Sequence, residues 1–171
     1  MNEDSTMKIG NLFNFPGESP TRIRAAHYAL LPLRLLVGYG FLAHGLAKWS
    51  KGPAAFAGIL HAAGVPAAHF MAWITIGTEI FGGIAILLGA FVSLVSIPAV
   101  ILLAVAIVTV HLPYGFSSIK IMSIVNGRAQ FGPPGYECDL LYIVCFLALV
   151  LSRPTPWSID AYRTDRRRAA E

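Results

Sequence analysis

An all-α fold, an integral membrane four-helix bundle with a short interfacial helix in its first loop, is predicted for these 171 residues. Three observations predict it. Hydrophobic residues make up 56% of the chain and charged residues only 13%, far from the balance of a soluble domain. Apolar stretches recur at about 27–47, 68–88, 91–112 and 138–152, and about 20 such residues in a helix cross the ~30 Å hydrocarbon layer. Basic residues collect outside these stretches: Lys8, Arg22 and Arg24 before the first, and Arg153, Arg163, Arg166, Arg167 and Arg168 after the last. Flanking charge of that kind is what membrane orientation requires. The length holds one bundle and leaves no room for a second domain.

Residues 1–26 are polar, with no apolar core ahead of Arg22. They read as a cytoplasmic arm rather than a cleaved signal peptide. The first span, 27–47, carries Pro32 in its opening turns, where a missing N–H costs least. Residues 48–67 form a connector. Within it Pro53 opens and Gly64 with Pro66 closes a helix of about eleven residues, too short to span. Trp49 anchors this segment in the interface.

The second span, 68–88, contains Glu79 near its middle. Only Gly89 and Ala90 separate it from the third, 91–112, so the two form an antiparallel hairpin. Pro98 predicts a kink in the third span. Residues 113–139 carry an apolar patch (Ile119, Ile121, Met122, Ile124, Val125) and an Asn126-Gly127 turn. This segment is either a β-hairpin with a type I′ turn or a stretch lying on the membrane face; its alternation does not choose. The fourth span, 138–152, leads into a basic tail, 153–171, which holds Trp157, Asp160 and Tyr162.

Four spans place both termini on one side. Eight Lys and Arg lie on that side against four in the opposite loops (Lys48, Lys51, Lys120, Arg128). The positive-inside rule then puts both termini in the cytoplasm. The same distribution argues against nucleic acid, because the net charge of +4 is flank charge rather than a patch. The tail arginines read as holding that face to anionic lipid more readily than as binding a protein. Cys138 and Cys145 are about 10 Å apart along one helix, too far for a disulfide, and no Cys/His spacing suits a metal. No metal site is expected.

Two constellations could carry function. Arg34 lies roughly 10 Å and Glu79 roughly 15 Å from the cytoplasmic face at 1.5 Å per residue. These depths predict an intramembrane Arg34–Glu79 ion pair, eased by Gly38, Gly77, Gly82 and Gly83. The pair either only fixes the register of the bundle or also binds a polar headgroup or relays a proton. Nearer the outer face, His44, Lys48 and His111 share a depth. The bland reading is interfacial histidines facing water. The sharper one is a site for a quinone carbonyl or for proton exchange; haem between the two histidines is not expected. Glu137 and Asp139 read first as solvated charges, or else as completing that mouth with Lys48 and Tyr136. His61 and His69 read as solvated.

Arg34-Leu-Leu-Val-Gly38 followed by Phe41-Leu-Ala-His44-Gly45-Leu-Ala-Lys48 resembles the opening helix of DoxX-family membrane proteins. The resemblance extends through Gly52-Pro53, Phe56, Gly64-Val65-Pro66, Glu79-Ile-Phe-Gly82-Gly83 up to Gly89, Gly135-Tyr136-Glu137 and Ser158-Ile-Asp160. Ser152-Arg153-Pro154 departs from it where that family has a glycine-rich turn. The resemblance implies a four-helix inner-membrane protein; namesakes are linked to quinol oxidation and thiosulfate:quinone oxidoreduction, and some relatives associate with thiol-stress or superoxide-detoxifying partners. The expectation is a membrane subunit of a quinone-linked redox assembly with a redox partner protein, an enzyme at most as a non-autonomous oxidoreductase subunit. A homo-oligomer stays open. The alternative is a non-catalytic membrane anchor or assembly protein. A transporter fits less well, since four helices without an inverted repeat make a thin pathway.

Overall fold

The computed structural model describes residues 28–170; the expected arm at 1–26 and the expected helix start at 27 lie outside the described residues. Four long helices form the body: α1 (Leu31–Lys51), α3 (Ala68–Leu88), α4 (Val92–Ala106) and α5 (Glu137–Leu151). Two short ones attend them, α2 (Pro53–Ala62) after α1 and α6 (Ile159–Arg168) after α5. Helix α4 continues through a wide π-type turn at Ile107–His111 and a tight 3-10 turn at Leu112–Tyr114.

The first helix runs to Lys51 rather than ending near 47. Nothing between Ala47 and Lys51 breaks a helix, whereas Gly52 at φ 96° followed by Pro53 does. Lys48 and Trp49 are therefore residues of α1 and not of a connector. Helix α3 has the bounds that its apolar run suggests, closed by Gly89 in the left-handed conformation at φ 62°.

The all-α expectation is corrected by a two-stranded antiparallel sheet, β1 (Ile121–Val125) and β2 (Arg128–Phe131). Asn126 and Gly127 both take positive φ, 52° and 73°, the backbone that a two-residue type I′ turn demands. Of the two readings left open for this loop, the hairpin is the one observed.

Helices α1 and α3 lie antiparallel with their backbones in close approach, and glycine makes that possible. A Cβ on Gly83 would strike the backbone of Leu42, and one on Gly38 would come within 2.8 Å of the Leu87 nitrogen. A Cβ on Gly45 would reach 3.0 Å from the Ile80 nitrogen. Small residues at a helix crossing let main chains approach in this way. The main core sits beside this seam, where Val37, Phe41, Ile86, Ala99, Leu103, Phe146 and Leu149 join α1, α3, α4 and α5. A second cluster of Ala57, Leu60, Ala68 and Ala72 docks α2 on the start of α3.

Outside this core the molecule is apolar. Helix α3 and the continuous helical stretch Val92–Tyr114 are each long and apolar enough to cross a membrane. Leu94, Ile97, Ile101 and Val108 are all exposed along one face of α4, while Arg34 and Glu79 are buried. A chain that hides its charges and shows its leucines suits a lipid solvent.

Gly83→Val places side-chain atoms against the Leu42 backbone, which has no rotamer to yield. Its expected cost is about 3 kcal/mol or more, the upper part of the overpacking range. Thermal unfolding in detergent should fall well below wild type, whereas Gly77→Ala, with nothing within 4 Å of its added carbon, should not.

Candidate functional site

The α1–α3 crossing sets which polar groups meet. Gly38 lies against Leu87, Leu42 against Gly83 and Gly45 against Ile80. Continuing that register puts Arg34 level with Phe91 and Glu79 level with Leu46. Glu79 is thus about twelve residues, or roughly 18 Å, from the level of Arg34. The expected Arg34–Glu79 pair does not form. Both residues are buried, as expected of them, but each has found another partner.

Glu79 pairs with Lys48. The Lys48 ammonium donates to both carboxylate oxygens, at 2.6 Å to Oε2. Only 6% of the Glu79 side chain is exposed against 25% of Lys48, so the carboxylate is sealed and the ammonium is reachable. Gly45 leaves room for this, since its missing side chain would come within 3.0 Å of the Glu79 Cβ. The Lys48 ammonium also stands 5.2 Å from the Phe56 ring centroid on α2, close enough for cation–π attraction.

Other proton-bearing groups gather at the same end of the helices. His44, one turn before Lys48 and exposed, meets the Tyr142 ring edge-on at 6.2 Å. The Tyr142 hydroxyl lies on the bare backbone of Gly40. His111 directs Nε2 to Asp139 Oδ2 at 3.8 Å, while its Nδ1 lies 3.1 Å from the Pro134 carbonyl oxygen. A carbonyl can only accept, so Nδ1 carries the hydrogen there. The nitrogen facing Asp139 then holds a proton only in the imidazolium form. The π-type turn at Ile107–His111 aims this ring toward α5, a placement such turns often serve. His44 acts electrostatically on both Glu79 and Asp139, and Lys48 does so on Asp139 as well, so these groups share one field.

Of the residues expected at the outer mouth, His44, Lys48 and His111 lie at this end. Glu137 has other work. Its Oε2 accepts from the Ser118 backbone N–H at 3.0 Å, and its own N–H donates to the Phe116 carbonyl at 2.9 Å. It pins the 115–118 loop over Gly135, where a Cβ would collide with the carbonyls of Gly115, Phe116 and Ser117. Asp139, two residues on, takes its place in the cluster. Glu79 and Tyr142 complete the set; the signal for Glu79 was the glycine spacing, and Tyr142 had none beyond its position on the face of α5 shared with Cys138 and Phe146. Among the described residues, no three His, Cys, Asp or Glu gather as metal ligands, and Cys138 and Cys145 are both free.

Arg34 belongs to the opposite end. Its Nη1 donates to Thr155 Oγ1 at 2.5 Å and to the Pro156 carbonyl at 3.2 Å, and Nη2 donates to the Trp157 carbonyl at 3.2 Å. These bonds fasten the tail. Ser158 then caps α6, accepting from the Ala161 N–H at 3.1 Å. Asp160 reaches across to cap α4, taking the N–H groups of Phe91 and Val92 at 2.9 Å each. Gly89 must be glycine here, because a Cβ would run into Ser158.

The family model described as DoxX matches residues 29–112. The chain is also 31% identical over 140 residues to "Uncharacterized membrane protein Rv3486" of Mycobacterium tuberculosis, an alignment covering 77% of this chain and 79% of that protein. No solved structure matches the chain.

Two outcomes follow from the separate partners of Arg34 and Glu79. Lys48→Met strands the buried Glu79 carboxylate and should lower stability by about 3 kcal/mol, whereas Glu79→Leu leaves a part-exposed ammonium and should cost less. The double variant should recover most of that loss in a double-mutant cycle read by denaturation in detergent. Arg34→Met should leave the cycle untouched but free the tail, seen as faster tryptic cleavage at Arg163–Arg168. Unchanged cleavage would show that Arg34 does not hold the tail.

Proposed function

Since the chain belongs to the DoxX family of membrane proteins, we propose that it is the membrane subunit of a quinone-linked redox assembly. In this reading α1, α3, α4 and α5 cross the bilayer and α2 lies in the interface. Helix α5, at 15 residues, is about 22 Å long and relies on local thinning or flanking residues to match the ~30 Å core. The charge imbalance between the two sides supports cytoplasmic termini, so the Lys48–Glu79 end faces outward.

The observation that carries the proposal is the convergence of Lys48, Glu79, His44, Tyr142 and the His111–Asp139 couple at one end of an otherwise apolar molecule. A quinone headgroup needs donors for its carbonyl oxygens, which Lys48 and Tyr142 offer. Its quinol form needs acceptors for two protons, which His44 and the Asp139 carboxylate offer, while the sealed Glu79 carboxylate takes a proton only through Lys48. The two electrons released on quinol oxidation pass to a redox centre of a partner protein. The half-buried Phe56 ring beside Lys48 offers an apolar flank for the ring.

A second reading, a non-catalytic anchor or assembly protein, is favoured by one observation. Every residue of β1 and β2 is exposed, and Ile121, Met122, Ile124 and Phe131 are among them. An apolar hairpin of that kind suits a partner's surface.

Titration of the purified protein with a soluble ubiquinone analogue separates the two. Saturable binding that weakens about tenfold or more in Glu79→Gln and His44→Ala, as expected when a buried hydrogen-bonding group loses its partner, supports the redox reading. Binding indifferent to both changes counts against the site. A stable partner lacking redox chemistry, lost on Ile124→Ser, favours the anchor.

A further inference from the structure

We propose that the tail end of the molecule carries a defined binding site for one anionic phospholipid, its phosphate held between Arg163 and Arg167 and one acyl chain laid along α4. The inference rests on the membrane placement of the chain and not on the quinone reading. Its test involves neither quinone nor the outer cluster.

A cavity of about 360 Å³ opens between the start of α4 and one face of α6. Phe91, Ser93 and Leu94 line one wall, and Arg163, Thr164 and Arg167 the other. Positions 160, 163, 164 and 167 recur every three and four residues, so they present one face of α6. Arg163 stacks on the Phe91 ring at 4.5 Å, which fixes its guanidinium at the rim. Among the described residues the only ion pairs are Lys48–Glu79 and His111–Asp139, so neither pocket arginine is neutralised by a carboxylate. The one acid in the wall, Asp160, already spends both oxygens on the Phe91 and Val92 N–H groups. The pocket therefore presents two guanidinium forks with no carboxylate in contact, and the Asp160 charge is turned to the α4 backbone; paired forks match the geometry of a phosphate.

What lies below the pocket selects the lipid over a free anion. Leu94 lines the cavity and begins an exposed apolar stripe of Leu94, Ile97, Ile101, Val105 and Val108 along α4. Spaced by three and four residues, these side chains form one ridge about 21 Å long, more than half the ~30 Å hydrocarbon thickness. Charge at the top and hydrocarbon beneath is the shape of a glycerophospholipid. Deeper still, a second cavity of about 50 Å³ shares Ser93, Pro154 and Asp160 with the first. Arg34 lines it with a buried Nε that has no partner among the described residues, a donor for a phosphate oxygen or the water beneath it.

Thermal unfolding of the full chain in neutral detergent micelles doped with phosphatidylglycerol or phosphatidylcholine tests the site. Phosphatidylglycerol should raise the midpoint by several degrees more than phosphatidylcholine, as a saturable ligand does. Arg163→Gln/Arg167→Gln should need about tenfold more phosphatidylglycerol or more for the same shift. Arg166→Gln/Arg168→Gln removes the same charge from outside the pocket and should behave as wild type; equal losses in the two pairs would mean diffuse attraction and overturn the site. Leu94→Glu keeps both arginines and should also lose the shift, which guards against a misfolded tail being misread. Glycerol phosphate or inorganic phosphate reproducing the full shift would show a free-anion site and overturn the lipid assignment.

Discussion

The contact on which the rest of the molecule depends is the glycine seam between α1 and α3. With Gly38 and Gly45 on one helix and Gly83 on the other, main chain meets main chain and only one register fits. A charge in an apolar helix pair is costly without a partner, and this register supplies partners at both ends. It sets Lys48 on Glu79, and it brings Arg34 level with the turn after α3, where the tail can reach it. Sliding the helices by one turn would strand all three.

The two ends are closed by the same physical device. At the tail, Asp160 caps the start of α4; at the other end, Glu137 holds the Ser118 N–H and seats the 115–118 loop on Gly135. In each case a carboxylate from the element that follows a loop satisfies backbone donors that lipid could not. The short runs Ser158-Ile-Asp160 and Gly135-Tyr136-Glu137 are therefore architecture, and a carboxylate engaged in this way has little left to offer a ligand.

Helix positions were legible because apolar runs of membrane length are hard to mistake: α3 runs from Ala68 to Leu88, as its composition suggests. Register was not legible from depth counting. That arithmetic placed residue 27 level with Gly89, whereas α1 begins at Leu31 and Arg34 stands level with Phe91. The register so implied is off by about nine residues, since Gly89 lies level with Leu36, and that is enough to exchange one ion pair for another. A better signal was present. Gly38 and Gly45, seven apart, mark one face of α1, and setting that face against Gly83 would have put Lys48 beside Glu79. The hairpin hid for a different reason, since its strands are exposed on both faces and carry no alternation to read.

The separation of the charged groups also sorts architecture from chemistry. Arg34 keeps its proton at any ordinary pH, and its donors go to a hydroxyl and two carbonyls that cannot take one. It can hold but cannot exchange. Lys48, Glu79, His44, His111, Asp139 and Tyr142 are all groups that can gain or lose a proton, and they converge at the other end. Register alone would have been served by an arginine there too. An ammonium a quarter exposed over a sealed carboxylate joins the surface to a buried titratable group, and on the proposed redox reading that makes the Lys48 end of α1 the place to look for function.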